Sequence, residues 1–280
     1  MKFRGKIAES ACMRQFANII VTLARLSKLC VVRFTKDFIY FIIVEENVTV
    51  GKPMVWSVLE QTHFFNEYSM TGVSEDQNEI YLEFETDVMA KSLSSLRVSH
   101  GAKSVKMKLT NKKSPCLTFE IQLSELSHSR FCVHDIPVSV IPRKEWTALQ
   151  EPVVPNYDVS IQLPGLKLIR TVAERMKSLS SHIVLLANHE GALILKVETP
   201  EATVSTHFKN LIMENSGGDE ENTEEFFSAR IDIRKFVQFL TSEQVNPSKV
   251  VCNIVDDKMV AMFLINEDII MHYFLPAVAA

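Results

Sequence analysis

Catalytic chemistry needs nucleophiles, bases or metal ligands at workable spacings, and this chain offers few. Cys132 and His134 stand two apart in a β-like segment, so their side chains share a face and could pair a nucleophile with a base. Asp135 points to the opposite face by alternation, leaving no orienting acid, and a packed cysteine beside a surface histidine accounts for the pair better. The eight histidines form no HExxH or HxxxH pair, and Gly-x-Ser-x-Gly is absent. Only Gly217 and Gly218 lie within three residues of each other, so neither GxGxxG nor GxxxxGK exists. Cys12, Cys30, Cys116, Cys132 and Cys252 are odd in number and contain no CxxC, which fits free thiols in a reducing, intracellular compartment. Neither an enzymatic role nor a cofactor or metal is expected.

The other chemistry available is phosphate binding by cations, and here the spacing is helical. Arg14, Arg25 and Lys28 fall on one side of a helix expected over 10–28, whose core face is Cys12, Phe16, Ile19, Ile20 and Leu23. In a second helix over 164–179, Lys167, Arg170 and Lys177 line up with Glu174 between them, opposite Ile169, Val172, Ala173 and Met176. Two short helices, begun by Asp87 and Asp232 as caps, add Lys91, Arg234 and Lys235. These are either the solvated faces of amphipathic helices or, if brought to one surface, a sequence-independent phosphate track.

The elements around them read as strands. Val105, Met107 and Leu109 alternate with Lys106 and Lys108, and the pattern recurs at Leu117, Phe119, Ile121, Leu123 and at Ile80, Leu82, Phe84. Short polar links such as Thr35-Lys36-Asp37 and Asn188-His189-Glu190-Gly191 suit hairpins. A strand–helix–hairpin unit appears four times, in two halves about 150 residues apart, so 280 residues resolve into a duplicated domain. The expected division is 1–132, an extended proline-bearing connector 133–156, and 157–280. Segment 214–225 holds six acids and no base and reads as a mobile acidic loop; the rest of the chain has 30 basic and 28 acidic residues. The longest apolar stretch, Phe38 to Val44, is too short to span a bilayer, and no signal peptide or membrane role is expected.

The start MKFRGKI, the segments FFNEYSMTGVS (64–74), NEIYLE (78–83), HDIPVSVIPRKEW (134–146), EPVVPNYDVSI (151–161), HFKNL (207–211), IDIRKF (231–236), QVNPSKVVCNIV (244–255) and the tail YFLPAV resemble the Hus-one family. This is a subunit family of the heterotrimeric DNA-damage checkpoint clamp, the nine-one-one ring. The resemblance runs from Met1 to Val278 and departs at the 45–55 and 214–225 loops.

It implies an α+β, PCNA-like sliding-clamp fold: two duplicated domains of antiparallel sheets with two helices each on the inner face. It further implies two paralogous clamp subunits as ring partners, a checkpoint clamp loader, double-stranded DNA held non-specifically through the hole, bound DNA repair enzymes, and a nuclear location. Arg14, Arg25, Lys28, Lys91, Lys167, Arg170, Lys177 and Arg234 would then face the DNA. Ile136, Val138, Val140, Ile141, Phe274, Leu275 and Pro276 would edge a partner-peptide pocket beside the connector, or simply pin the connector to the body. Edge strands would join neighbouring subunits by continuing their sheets. Two other readings are a self-assembling replicative-type clamp and a β-rich interaction module with no DNA role.

Overall fold

The first of two units, Met1–Glu151, runs β1 (Lys2–Ile7), α1 (Ser10–Leu26), β2 (Leu29–Phe34), β3 (Phe38–Val44), β4 (Pro53–Glu60), α2 (Gln61–Phe64), β5 (Glu67–Thr71), β6 (Ile80–Glu85), α3 (Thr86–Ser92), β7 (Ala102–Asn111), β8 (Pro115–Leu123) and β9 (Arg130–Val140). 3-10 turns follow α3 at Ser94–Arg97 and β9 at Arg143–Leu149. The computed structural model describes residues 1–44, 53–97, 102–123, 130–153, 156–214, 224–267 and 269–278.

Within this unit the strands pair antiparallel in the order β4-β3-β2-β6-β9-β8-β7-β1-β5. Strand β9 is the splice, because residues 130–137 pair with β8 while Val138–Val140 pair with β6. Alternation decides which way each side chain points. Phe3, Ile7, Val32, Phe34, Phe41, Met107, Leu117 and Phe119 turn to one face and are buried there. Helix α1 closes that face with Phe16, Ile19, Ile20 and Leu23, and Phe16 and the α3 residue Met89 share a small cavity with residues of both halves of the sheet.

The second unit, Pro152–Ala280, repeats the order: β10 (Val159–Gln162), α4 (Leu166–Met176), β11 (His182–Ala187), β12 (Leu193–Glu198), β13 (Thr203–Phe208), β14 (Phe227–Asp232), α5 (Ile233–Leu240), a 3-10 turn (Thr241–Val245), β15 (Lys249–Val255), β16 (Met259–Asn266) and β17 (Ile269–Pro276). Its strands pair as β10-β15-β16-β17 and as β13-β12-β11-β14. The β11–β12 turn has the hairpin chemistry its sequence suggests. Asn188 accepts from the Ala192 N–H through its side chain, and Gly191 takes the left-handed φ of 78° that the turn needs.

Several boundaries differ from those the sequence suggests. Helix α1 ends at Leu26 because Ser27 is extended, so Lys28 lies beyond it. Helix α4 starts at Leu166, after Gly165 at the N-cap, which leaves Pro164 outside the first turn. Asp232 caps α5, accepting from the backbone N–H groups of Arg234 and Lys235, but Asp87 does not cap α3: Glu85 holds that position and Asp87 sits inside the first turn. Residues 61–64 form a helical turn between β4 and β5. The first third of the expected connector, 133–140, is sheet, since Ile136 and Val138 bury themselves and the backbone pairs with two strands. The acidic segment lies outside the described residues except for Glu214, Glu224 and Glu225; Glu214 pairs with Lys249 at 2.8 Å.

Candidate DNA-facing and partner-binding surfaces

In the first unit α1 packs beside α3 and the 94–97 turn, so the cations of three segments share one helical layer. Burying Phe16, Ile19, Ile20 and Leu23 forces Arg14 and Arg25 outward, and both are exposed, as are Lys28 and Lys91. Lys28 is held through its backbone: its carbonyl oxygen accepts from the Thr86 N–H at 2.9 Å, tying the end of α1 to the start of α3. Arg97, which the sequence reading did not single out, reaches back to donate to Asn18 Oδ1 at 3.1 Å.

In the second unit α4 packs beside α5. Lys167, Lys177 and Arg234 are exposed. Arg170 is half-buried and committed within the protein, with Nε 2.9 Å from Glu174 Oε1 and Nη1 3.4 Å from Glu243 Oε1. Arg175 is exposed and makes no ion pair among the described residues. The burial of Leu166, Ile169, Ala173 and Met176 places Arg175 nearer the outward direction than Arg170 or Lys177. The regular spacing of 167, 170 and 177 drew attention to the flank of the helix and away from this residue.

The expected peptide-pocket residues separate. Ile136, Val138 and Leu275 are core, and Tyr273 beside Leu275 stacks on Phe239 of α5 at 5.3 Å. Phe274 faces the other side of β17, against His272 and Phe263, while Val140 and Pro276 are exposed. Ile141 lines a cavity. Its volume is about 280 Å³, and its walls include Leu29, Val31 and Ile42 of the sheet, with Ala148 and Leu149 of the 143–149 turn above them. That turn is anchored by Trp146, which stacks on Tyr81 at 4.4 Å and donates from Nε1 to the Ile141 carbonyl.

The strand edges carry a second kind of surface. Among the described residues no strand pairs with the outer edge of β13, nor with residues 131–137 of β9 on the side away from β8. Phe131 and Val133 on β9 are 62% and 56% exposed, large apolar side chains set beside unpaired backbone.

Among the described residues Asp135 is not free to orient a Cys132–His134 pair. Asp135 is bound to Lys112 Nζ and Thr118 Oγ1, both at 2.6 Å, and the Lys112 bond holds its carboxyl below the usual range. The five cysteines are all free thiols, and burial pushes Cys252 up to about 12. Among the described residues no group of three or more His, Cys, Asp or Glu side chains could hold a metal ion, and no helix is long and apolar enough to cross a membrane.

Residues 1–279 match the family of Hus1-like proteins. The chain belongs to that family. It is 46% identical to the human Checkpoint protein HUS1 over the full length of both chains. It is 29% identical to Checkpoint protein hus1 of Schizosaccharomyces pombe, over 90% of this chain and 88% of that one. Among solved structures it resembles the proliferating cellular nuclear antigen of Entamoeba histolytica, with a TM-score of 0.72 at 13% identity and 99% coverage of both chains. The PCNA of Thermococcus kodakaraensis gives a TM-score of 0.69 at 16% identity. The expected α+β, PCNA-like clamp fold is therefore the one observed. A Hus1-like sequence on a sliding-clamp fold makes the chain a checkpoint clamp subunit, and the replicative-type alternative is not favoured.

Proposed function

We propose that the chain is a non-catalytic member of a heterotrimeric ring that a checkpoint clamp loader places on DNA at damage sites in the nucleus, where it serves as a platform for signalling and repair enzymes. The observation that carries this reading is that β13 in the second unit and residues 131–137 of β9 in the first each leave one side unpaired among the described residues, with Phe131 and Val133 exposed on the latter. An open edge in each unit lets sheets continue from one subunit to the next, satisfying backbone groups that are otherwise left to water. The helical layers, with Arg14, Arg25, Lys28, Lys91, Lys167, Lys177 and Arg234 outward, would line the hole and contact the phosphate backbone without reading sequence. Arg170 contributes less than the spacing suggested, because two carboxylates already hold it.

The partner-peptide site reduces to the cavity at Ile141, between the outer sheet face and the 143–149 turn, with residues 141–156 as the working connector. Native mass spectrometry of the chain alone and co-expressed with its two clamp paralogues tests the assembly. A one-to-one-to-one trimer on co-expression only is the expected result; a homotrimer from the chain alone would move the reading to a replicative-type clamp, and monomers throughout would sink the ring.

A further inference from the structure

The sheet face opposite the helices in the first unit carries cations where sheet physics disfavours them. Arg4 of β1 lies directly across from Lys108 of β7, and Lys6 lies directly across from Lys106. Like charges in directly opposed positions of an antiparallel pair are destabilising. Lys2 extends the row at the two-residue period of one face. Some of this charge is balanced at the rims, by Glu67 on β5 with Lys6 at 3.2 Å and by Glu120 on β8 with Lys108 at 2.8 Å. Between the rims Lys2 and Arg4 are exposed and make no ion pair among the described residues, while Lys106 lies half-buried directly across from Glu120. Nothing in the packing of the unit requires them, because the core lies on the other face.

We propose that this ridge docks an extended acidic peptide segment of a partner protein. Cations at alternate positions of β1 recur every ~6.6 Å, the spacing at which an extended peptide presents alternate side chains on one face. Strand β1 is paired on both sides, with β5 and β7, so the contact is made by side chains and not by adding a strand. Nucleic acid fits the surface less well. The positive stripe is two strands wide and bordered by Glu67 and Glu120, which would face the second phosphate chain of a duplex. A single strand needs aromatic platforms for its bases, and β1 and β7 offer none on this face. The ridge also lies on the opposite face of the sheet from Arg14 and Lys91, so its occupant need not compete with DNA held by the helical layer.

The test is fluorescence anisotropy of a labelled peptide of alternating glutamate and serine titrated with the full chain, repeated with single-stranded and duplex oligonucleotides. The wild-type chain should bind the peptide saturably at about 0.1 M salt and lose it as salt rises. Arg4→Glu with Lys106→Glu should weaken binding about ten-fold or more, while Arg14→Glu with Lys91→Glu leaves it unchanged. Arg4→Glu places an acid opposite Lys108, whereas Lys106→Glu sets one directly across from Glu120, so Arg4→Glu is also tested alone and each variant is melted beside the wild type, which separates loss of binding from loss of fold. The inference is overturned if the wild type shows no saturable peptide binding, or if the ridge variant binds as well as the wild type. Oligonucleotide binding that depends on the ridge and that the peptide cannot displace would instead assign the surface to nucleic acid.

Discussion

Thr86 Oγ1 donates to the carbonyl oxygen of Ser27 at 2.5 Å, and its backbone N–H donates to the next carbonyl, that of Lys28, at 2.9 Å. One fully buried residue at the start of α3 thus satisfies the carbonyls of the two residues that follow α1. The two helices that would carry the first unit's DNA-facing cations are held in register by this clasp.

Thr86→Val keeps the shape and removes the hydroxyl, leaving the carbonyl of the half-buried Ser27 without this donor. The expected cost is about 0.5–1.5 kcal/mol, read as a lower urea midpoint with an unchanged denaturant slope. A midpoint equal to the wild type would show that the clasp contributes nothing.

The two acids expected to cap short helices should behave differently. Asp232→Ala removes the acceptor of the Arg234 N–H at 2.7 Å and should cost about 1 kcal/mol. Asp87→Ala loses only a first-turn interaction with the helix dipole, about 0.3–0.5 kcal/mol. Equal losses in a thermal or urea series would contradict the capping geometry.

That contrast marks the limit of what the sequence discloses. Alternation and helical spacing are local, so Lys106 and Lys108 could be set against Val105 and Met107, and Phe16 against Arg14, without any tertiary information. The cap at Asp87 could not be judged, because the strand β6 runs one residue further and Glu85 takes the N-cap position. Pro137 suggested a stiff connector, yet it sits where β9 has a partner on one side only, a position in which a sheet tolerates proline. Of the two carboxylates that hold Arg170, Glu174 is an i,i+4 neighbour legible in the spacing, but Glu243 lies 73 residues away in sequence, where no spacing rule reaches.

Buried thiols make stability fall at alkaline pH. Cys252 is fully buried and its pKa is raised from 9.0 to about 12 by desolvation alone; Cys30 is raised in the same direction. A folded-state pKa above the unfolded value means that the folded protein keeps a proton which the unfolded chain releases. The stability is therefore complete below about pH 9 and falls as pH rises toward 12, at about 1.4 kcal/mol per pH unit for each such thiol. Cys252→Ala should shallow that decline by one proton's slope when unfolding free energies are compared between pH 8 and 11. An unchanged slope would mean that the thiol ionises in the folded protein.

On the second helical layer the structure reverses the ranking that spacing alone suggests. Arg170 is tied to Glu174 and Glu243, so moving it to a phosphate means giving up two carboxylates, whereas Arg175 and Lys167 are exposed and reach outward from the same helix. A residue that contacts phosphate contributes about 0.9 to the slope of log affinity against log salt. In the assembled ring, Arg175→Gln or Lys167→Gln should each lower that slope by up to this amount and weaken binding to all sequences alike. Arg170→Gln should leave the slope nearly unchanged and show its effect in stability, since it leaves Glu174 and Glu243 without their counter-ion. The measurement is a DNA-binding titration across a salt series, with a thermal melt of each variant alongside. A drop in slope for Arg170→Gln and none for Arg175→Gln would mean that the ion pairs open on DNA and that the flank of α4, not its outward ridge, meets the backbone.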